Sequence, residues 1–79
     1  GNPIPIGTLI KRKDVCGFGM IMPFEMQSVK ITKCVLALLM RVNKRLIFIY
    51  IYDDYDGKST IKKLVDLAEN YSDMIKSIN

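Results

Sequence analysis

The sequence predicts an α+β domain: a small antiparallel β-meander of three to four strands with one C-terminal amphipathic helix packed on one face. Three observations carry this expectation. Residues Leu46-Ile47-Phe48-Ile49-Tyr50-Ile51-Tyr52 form an unbroken apolar run dominated by β-branched and aromatic side chains, which favours a strand. Two apolar stretches, Val35 to Val42 and Arg45 to Tyr52, are joined by Asn43-Lys44, and Asn tolerates the positive φ that a two-residue hairpin turn requires. Near the C-terminus Ile61, Leu64, Val65, Ala68, Tyr71, Ile75 and Ile78 recur at three- and four-residue steps, one apolar stripe on a helix over residues 59–77.

The elements follow in chain order. Asn2-Pro3-Ile4-Pro5-Ile6 reads as an extended segment over residues 1–6, because each Pro fixes its own φ and pushes its predecessor out of the helical region. Residues 7–52 supply the sheet. Gly17-Phe18-Gly19 marks a bend or bulge, and Pro23 argues for an edge strand. Residues 28–42 also fit a helical spacing through Val29, Val35, Leu38, Leu39 and Val42, and the hairpin reading is preferred over this helix. Ser59 or Asp56 is placed to cap the C-terminal helix, whose polar side carries Lys62, Asp66, Glu69, Asp73 and Lys76. Residues 1–79 read as a single small domain.

Size sets a limit. A chain of 79 residues buries only about 60% of its unfolded surface. Yet 49% of its residues are hydrophobic. In the run 46–52, Ile47, Ile49 and Ile51 point to one side, and Leu46, Phe48, Tyr50 and Tyr52 to the other, so neither face is polar. One helix can cover one face. Burying three aromatics is worth on the order of 10 kcal/mol before entropy, at 150–250 Å² each. That rivals the stability of a small domain, so a protein surface is the expected cover: a second copy in a homo-oligomer (a dimer) or another protein. Leu46, Phe48, Tyr50 and Tyr52 are the candidate interface, with Met20 and Met22 beside them, since flexible Met adapts to a partner.

Charge is uneven. Residues 1–52 carry +6 and residues 53–79 carry −2. Lys30, Lys33, Arg41, Lys44 and Arg45 lie near the aromatics in sequence, and cations interleaved with aromatics suit single-stranded nucleic acid, whose bases stack while phosphates meet Lys and Arg. The order of four strands then a helix resembles the Whirly/PUR-type single-strand binders, which pair into dimers, and this resemblance implies nucleic-acid binding as the alternative function.

Other chemistry is thinly represented. There is no His, which removes imidazole acid–base catalysis and most zinc sites. Cys16 and Cys34 are too few for a metal site alone; reduced core thiols are preferred over the one disulfide they could form, and this points to an intracellular, cytoplasmic setting. No apolar run reaches the length of a membrane span. Gly57-Lys58-Ser59 ends like a phosphate-binding loop, but Tyr52 stands where its first Gly belongs, and an EF-hand reading fails with Tyr52 and Lys63 at ligand positions. Asp54-x-Asp56-Gly57 after an apolar strand resembles the nucleophile motif of haloacid-dehalogenase-type phosphatases. That resemblance implies Asp54 as nucleophile and Asp56 as acid/base, on a parallel α/β fold for which the chain is short, with Lys58 where a Thr is usual. The expectation is a non-catalytic protein-interaction module that needs no cofactor and no metal. A fragment of a phosphotransfer enzyme is the remote alternative.

Overall fold

Two tight turns organise the chain, and each holds two consecutive residues at positive φ: Gln27 and Ser28 at 50° and 68°, Asn43 and Lys44 at 49° and 67°. This is the mirror-image turn whose twist matches that of the flanking strands. In the computed structural model, which describes residues 2–78, these turns join β2 (Val15–Met26) to β3 (Val29–Val42) and β3 to β4 (Arg45–Asp54). A first strand, β1 (Ile4–Arg12), precedes them, and α1 (Lys58–Ile78) follows. The strands form one antiparallel sheet in the order β1-β2-β3-β4, with α1 lying across β3 and β4. The predicted α+β meander with one helix is the observed fold, with four strands.

Several boundaries move. The sheet begins at Ile4, inside the segment read as merely extended, and runs to Asp54; Gly1 and Asn79 lie outside the described residues. Residues 29–42 are a strand, not a helix, because alternate side chains Cys34, Leu36, Leu38 and Met40 all find cover on one side of the sheet. Pro23 does not mark an edge strand, since β2 is interior. It lies just beyond Ile21, the last β2 residue paired with β1. The closing pair of a two-residue hairpin is hydrogen-bonded, so Met26 and alternate residues behind it aim N–H at β3, and Pro23 faces the vacated side where no N–H is needed.

The irregularity expected at Gly17 and Gly19 falls on β1 instead. The β1–β2 register slips between Pro5 and Gly7 and between Thr8 and Ile10, directly opposite these glycines. The reason is steric. A Cβ on Gly17 would sit 3.1 Å from the Cβ of Ile10, and one on Gly19 would sit 2.4 Å from the Cδ1 of Leu9. The bare backbone of β2 therefore lets β1 fold its apolar side chains over the sheet, beside the area α1 covers.

The core is one layer thick. Ile10, Val15, Cys34, Leu36, Leu38, Met40 and Val42 meet Leu64 and Ala68 of the helix, and Ile47, Ile49, Ile51, Ile61, Val65 and Ile75 close its margins. Thr60 and Ser72 are the buried polar residues of the helix. The Thr60 hydroxyl donates to the Asp54 carbonyl and accepts from the Asp56 N–H, tying the helix start to the end of β4. This replaces the cap expected from Ser59 or Asp56: the Ser59 hydroxyl donates to the Asp56 carbonyl instead. The Ser72 hydroxyl donates to the Glu69 carbonyl, which lets it pack against the sheet at little expense. Tyr71 and Ile78, placed on the core stripe by spacing, are exposed. The stripe turns toward the sheet through Thr60, Leu64, Ala68 and Ser72.

Leu38 is fully enclosed. Leu38→Ala is expected to destabilise the domain by about 2–5 kcal/mol in urea unfolding, the range for a buried Leu whose cavity cannot collapse. A loss under about 1 kcal/mol would contradict the packing described.

Candidate functional site

The strand registers place the candidate residues. Cys16, Leu39 and Phe48 form one cross-strand row; Phe18, Ala37 and Tyr50 the next; Met20, Val35 and Tyr52 the third; and Met22, Lys33 and Asp54 the fourth. All point away from α1. The sheet therefore brings five of the six expected interface residues, Phe48, Tyr50, Tyr52, Met20 and Met22, onto one continuous surface, with Leu46 beside Arg41 at its end. Leu46, Phe48, Tyr50 and Tyr52 are each close to two-thirds exposed, at 66%, 65%, 63% and 66%. Met20, Met22, Phe24, Lys33, Val35, Tyr50 and Tyr52 line a shallow groove of about 500 Å³ on this face.

The surface extends further than the sequence suggested. β1 stops opposite Ile21 and β4 opposite Lys33, so residues 23–32 continue as a two-stranded arm. On the arm, Phe24 opposes Ile31 and Met26 opposes Val29 on the same side as the aromatic rows, and all four are exposed. The arm's other side carries Pro23 with Thr32 and Glu25 with Lys30. The arm is thus a two-stranded ribbon with one apolar and one polar side. Gly and Pro interrupt β2 and disguise the period of two that puts Phe18 and Phe24 on this face, and Ile31 of β3 joins them through its pairing with Phe24.

The candidate cations do not gather on this face. Lys30 points to the polar side of the arm, Arg45 to the helix side of the sheet, and Lys44 sits in the turn. Lys33 and Arg41 do stand among the apolar rows, and each is paired: Lys33 with Asp54 at 2.5 Å, Arg41 with Asp14 at 3.0 Å. The hydrogen bond to Asp54 pushes the Lys33 ammonium above its ordinary value. Arg12 reaches Glu69 and Asp73 of α1.

The acidic loop at the end of β4 is similarly occupied. Asp54 holds Lys33, and Asp53 accepts from Lys63 at 2.7 Å. Asp56 lies in the link to α1 and gives its N–H to Thr60. The parallel α/β sheet implied by the phosphatase resemblance is absent, because every strand pair here is antiparallel. Among the described residues no group of three or more His, Cys, Asp or Glu side chains converges to hold a metal ion. Both cysteines are free, but Cys16, expected in the core, is exposed because it lies on the sheet face away from α1, and Cys34 is buried on the other face, where burial pushes its thiol up. No described helix is long and apolar enough to cross a membrane.

The hydrogen bond from Lys63, joined by the Asp54 N–H, holds the Asp53 carboxyl below its ordinary 3.8, and the same pairing raises Lys63 above 10.5. A depressed carboxyl stabilises the fold above its unfolded value and loses that contribution as pH falls through the folded value. Stability is expected to drop as pH is lowered below 3.8, and Lys63→Met should flatten this acid limb in urea midpoints measured across it. An acid limb unchanged by the substitution would contradict the pairing.

Compared with models of protein families, with curated proteins and with solved structures, this chain matches none.

Proposed function

We propose that the chain is a non-catalytic protein-interaction module that docks a partner on the second face of its sheet, through Leu46, Phe48, Tyr50, Tyr52, Met20 and Met22. The observation that carries this reading is the continuity of one apolar surface from Phe48 to Met26, against a polar reverse side on the arm. Ten residues along β2 span roughly 33 Å at strand rise, long enough to seat an extended or helical segment of another protein. The aromatics supply rigid contact area and the methionines adapt to its shape.

Charge favours a protein over a nucleic acid on this face. Lys33 and Arg41 are each matched by an aspartate, so a phosphate backbone would have to displace Asp54 and Asp14 to reach them, and among the described residues Lys11, opposite Cys16 at the β1 edge, is left as a single cation on this face outside those pairs. A partner with an apolar ridge meets no such competition.

The test uses two probes. The apolar dye 1-anilinonaphthalene-8-sulfonate should bind the folded chain with several-fold enhanced fluorescence. Met20→Glu/Tyr50→Glu should abolish that signal while leaving the circular dichroism melt in place. A thymidine oligonucleotide at low salt should show no saturable binding. A silent dye, or tight salt-sensitive oligonucleotide binding lost with Tyr50→Glu, would overturn the proposal.

A further inference from the structure

The two edges of the sheet are built differently. β1 carries Pro5, Gly7 at φ 121° and two register slips, devices that stop another strand from adding to an edge. β4 carries none of these between Arg45 and Asp54. Its closing pair with Val42 is hydrogen-bonded, so the odd residues of β4 face β3, and Leu46, Phe48, Tyr50 and Tyr52 turn their N–H and C=O groups to the open edge.

We infer that β4 pairs antiparallel with β4 of a second copy, centred on Ile49, to give an eight-stranded sheet. A two-fold axis perpendicular to the sheet keeps both helices on one side and sets residues of like parity opposite each other. Centred on Ile49, Phe48 opposes Tyr50, Leu46 opposes Tyr52, Arg45 opposes Asp53 and Lys44 opposes Asp54. Arg45, and Lys44 in the turn before it, then approach Asp53 and Asp54, twice over, and each carboxylate is shared with the cation its own chain already gives it, Lys63 on Asp53 and Lys33 on Asp54. Among the described residues, Lys44 and Arg45 make no ion pair within their own chain. Centring on Tyr50 would set Asp53 against Ile47 and Asp54 against Leu46. Centring on Phe48 would set Arg45 against Ile51. Only the Ile49 register pairs the charges, and it forms about eight ladder hydrogen bonds.

The helix points the same way. Lys63 reaches Asp53 of β4, whereas Glu69 and Asp73 reach Arg12 of β1, which fixes how α1 is rotated over the sheet. At 3.6 residues per turn, Leu67, Tyr71, Met74 and Ile78 then line the side that overhangs the β4 edge, and all four are exposed. A helix lying over β3 and β4 stands about 5 Å from the two-fold axis. Its mate would therefore be roughly 10 Å away, a normal helix-packing distance. The second apolar stripe on α1, which the monomer's core does not use, meets its own copy there. The dimer keeps the aromatic rows facing outward and joins them side by side at the seam, so this contact adjoins the docking surface proposed above, whose Met20, Met22 and Phe24 lie away from the seam.

The experiment is mass by light scattering across about 1–100 µM, where a micromolar dimer declares itself. The native chain should reach twice its 9.0 kDa. Arg45→Asp and Tyr71→Glu should each raise the dimer dissociation constant by at least about tenfold, with the fold retained by circular dichroism. Met20→Glu and Phe24→Glu, on the open face, should leave it within about threefold. For the register, Ile49→Cys in a Cys16→Ser background should oxidise to a covalent dimer, because the introduced thiols meet across the axis. Leu46→Cys in that background should not. A native chain that stays at 9.0 kDa, a dimer insensitive to Arg45→Asp and Tyr71→Glu, or a dimer broken by Met20→Glu would each overturn the edge pairing. Failure to cross-link through Ile49→Cys would overturn its register. None of these outcomes bears on dye binding at the open face.

Discussion

The packing of β3 against α1 is the interaction on which the rest depends. Leu36, Leu38 and Met40 are completely shielded from water by Leu64, Ala68 and the flanking strands. A single helix, some 10 Å across with its side chains, can shield one side of the two strands beneath it and no more. β1 extends the cover by leaning Leu9 and Ile10 over the glycines of β2. Everything distinctive about its surface, the open aromatic rows, the one-sided arm and the overhanging helix stripe, is what remains when a strongly apolar sheet has one lid.

Much of this was legible in the residues, and the reasons are specific. The 46–52 run lacks a polar face, so the uncovered stripe of Leu46, Phe48, Tyr50 and Tyr52 is legible from its alternation alone. Asn43-Lys44 marked the β3–β4 hairpin because φ > 0 is chemically restricted. Other features were hidden because they are decided by register, which spacing alone does not reveal. The slips in β1 depend on which residues of β2 lie opposite, and the arm exists because β1 and β4 both stop short. Helix rotation is hidden in the spacing for a related reason. Tyr71 and Ile78 fit the apolar period as well as Thr60 and Ser72 fit a polar one, but hydroxyls that bond backbone carbonyls can be buried, and this turned the stripe.

The cations show how far proximity in sequence can mislead. Lys30, Lys33, Arg41, Lys44 and Arg45 look like one basic cluster along the chain, and the pleat sends them to both sides of the sheet and a turn. Those that share the aromatic face are held by Asp54 and Asp14. Electrostatics on this molecule therefore serves its edges and corners, while the broad face relies on apolar contact. Such a division suits recognition between proteins, where aromatic and Met side chains supply the contact and charge sets register.

The central claim is that one sheet face stays in water while the other is sealed. Solution NMR with a soluble paramagnetic agent reads this directly, residue by residue. The ring protons of Phe24 and Tyr52 should broaden strongly, while the methyl protons of Leu36, Leu38 and Leu64 remain sharp. Rings on the open face as well protected as the Leu38 methyls would show that the chain supplies its own second cover, and the account would fail.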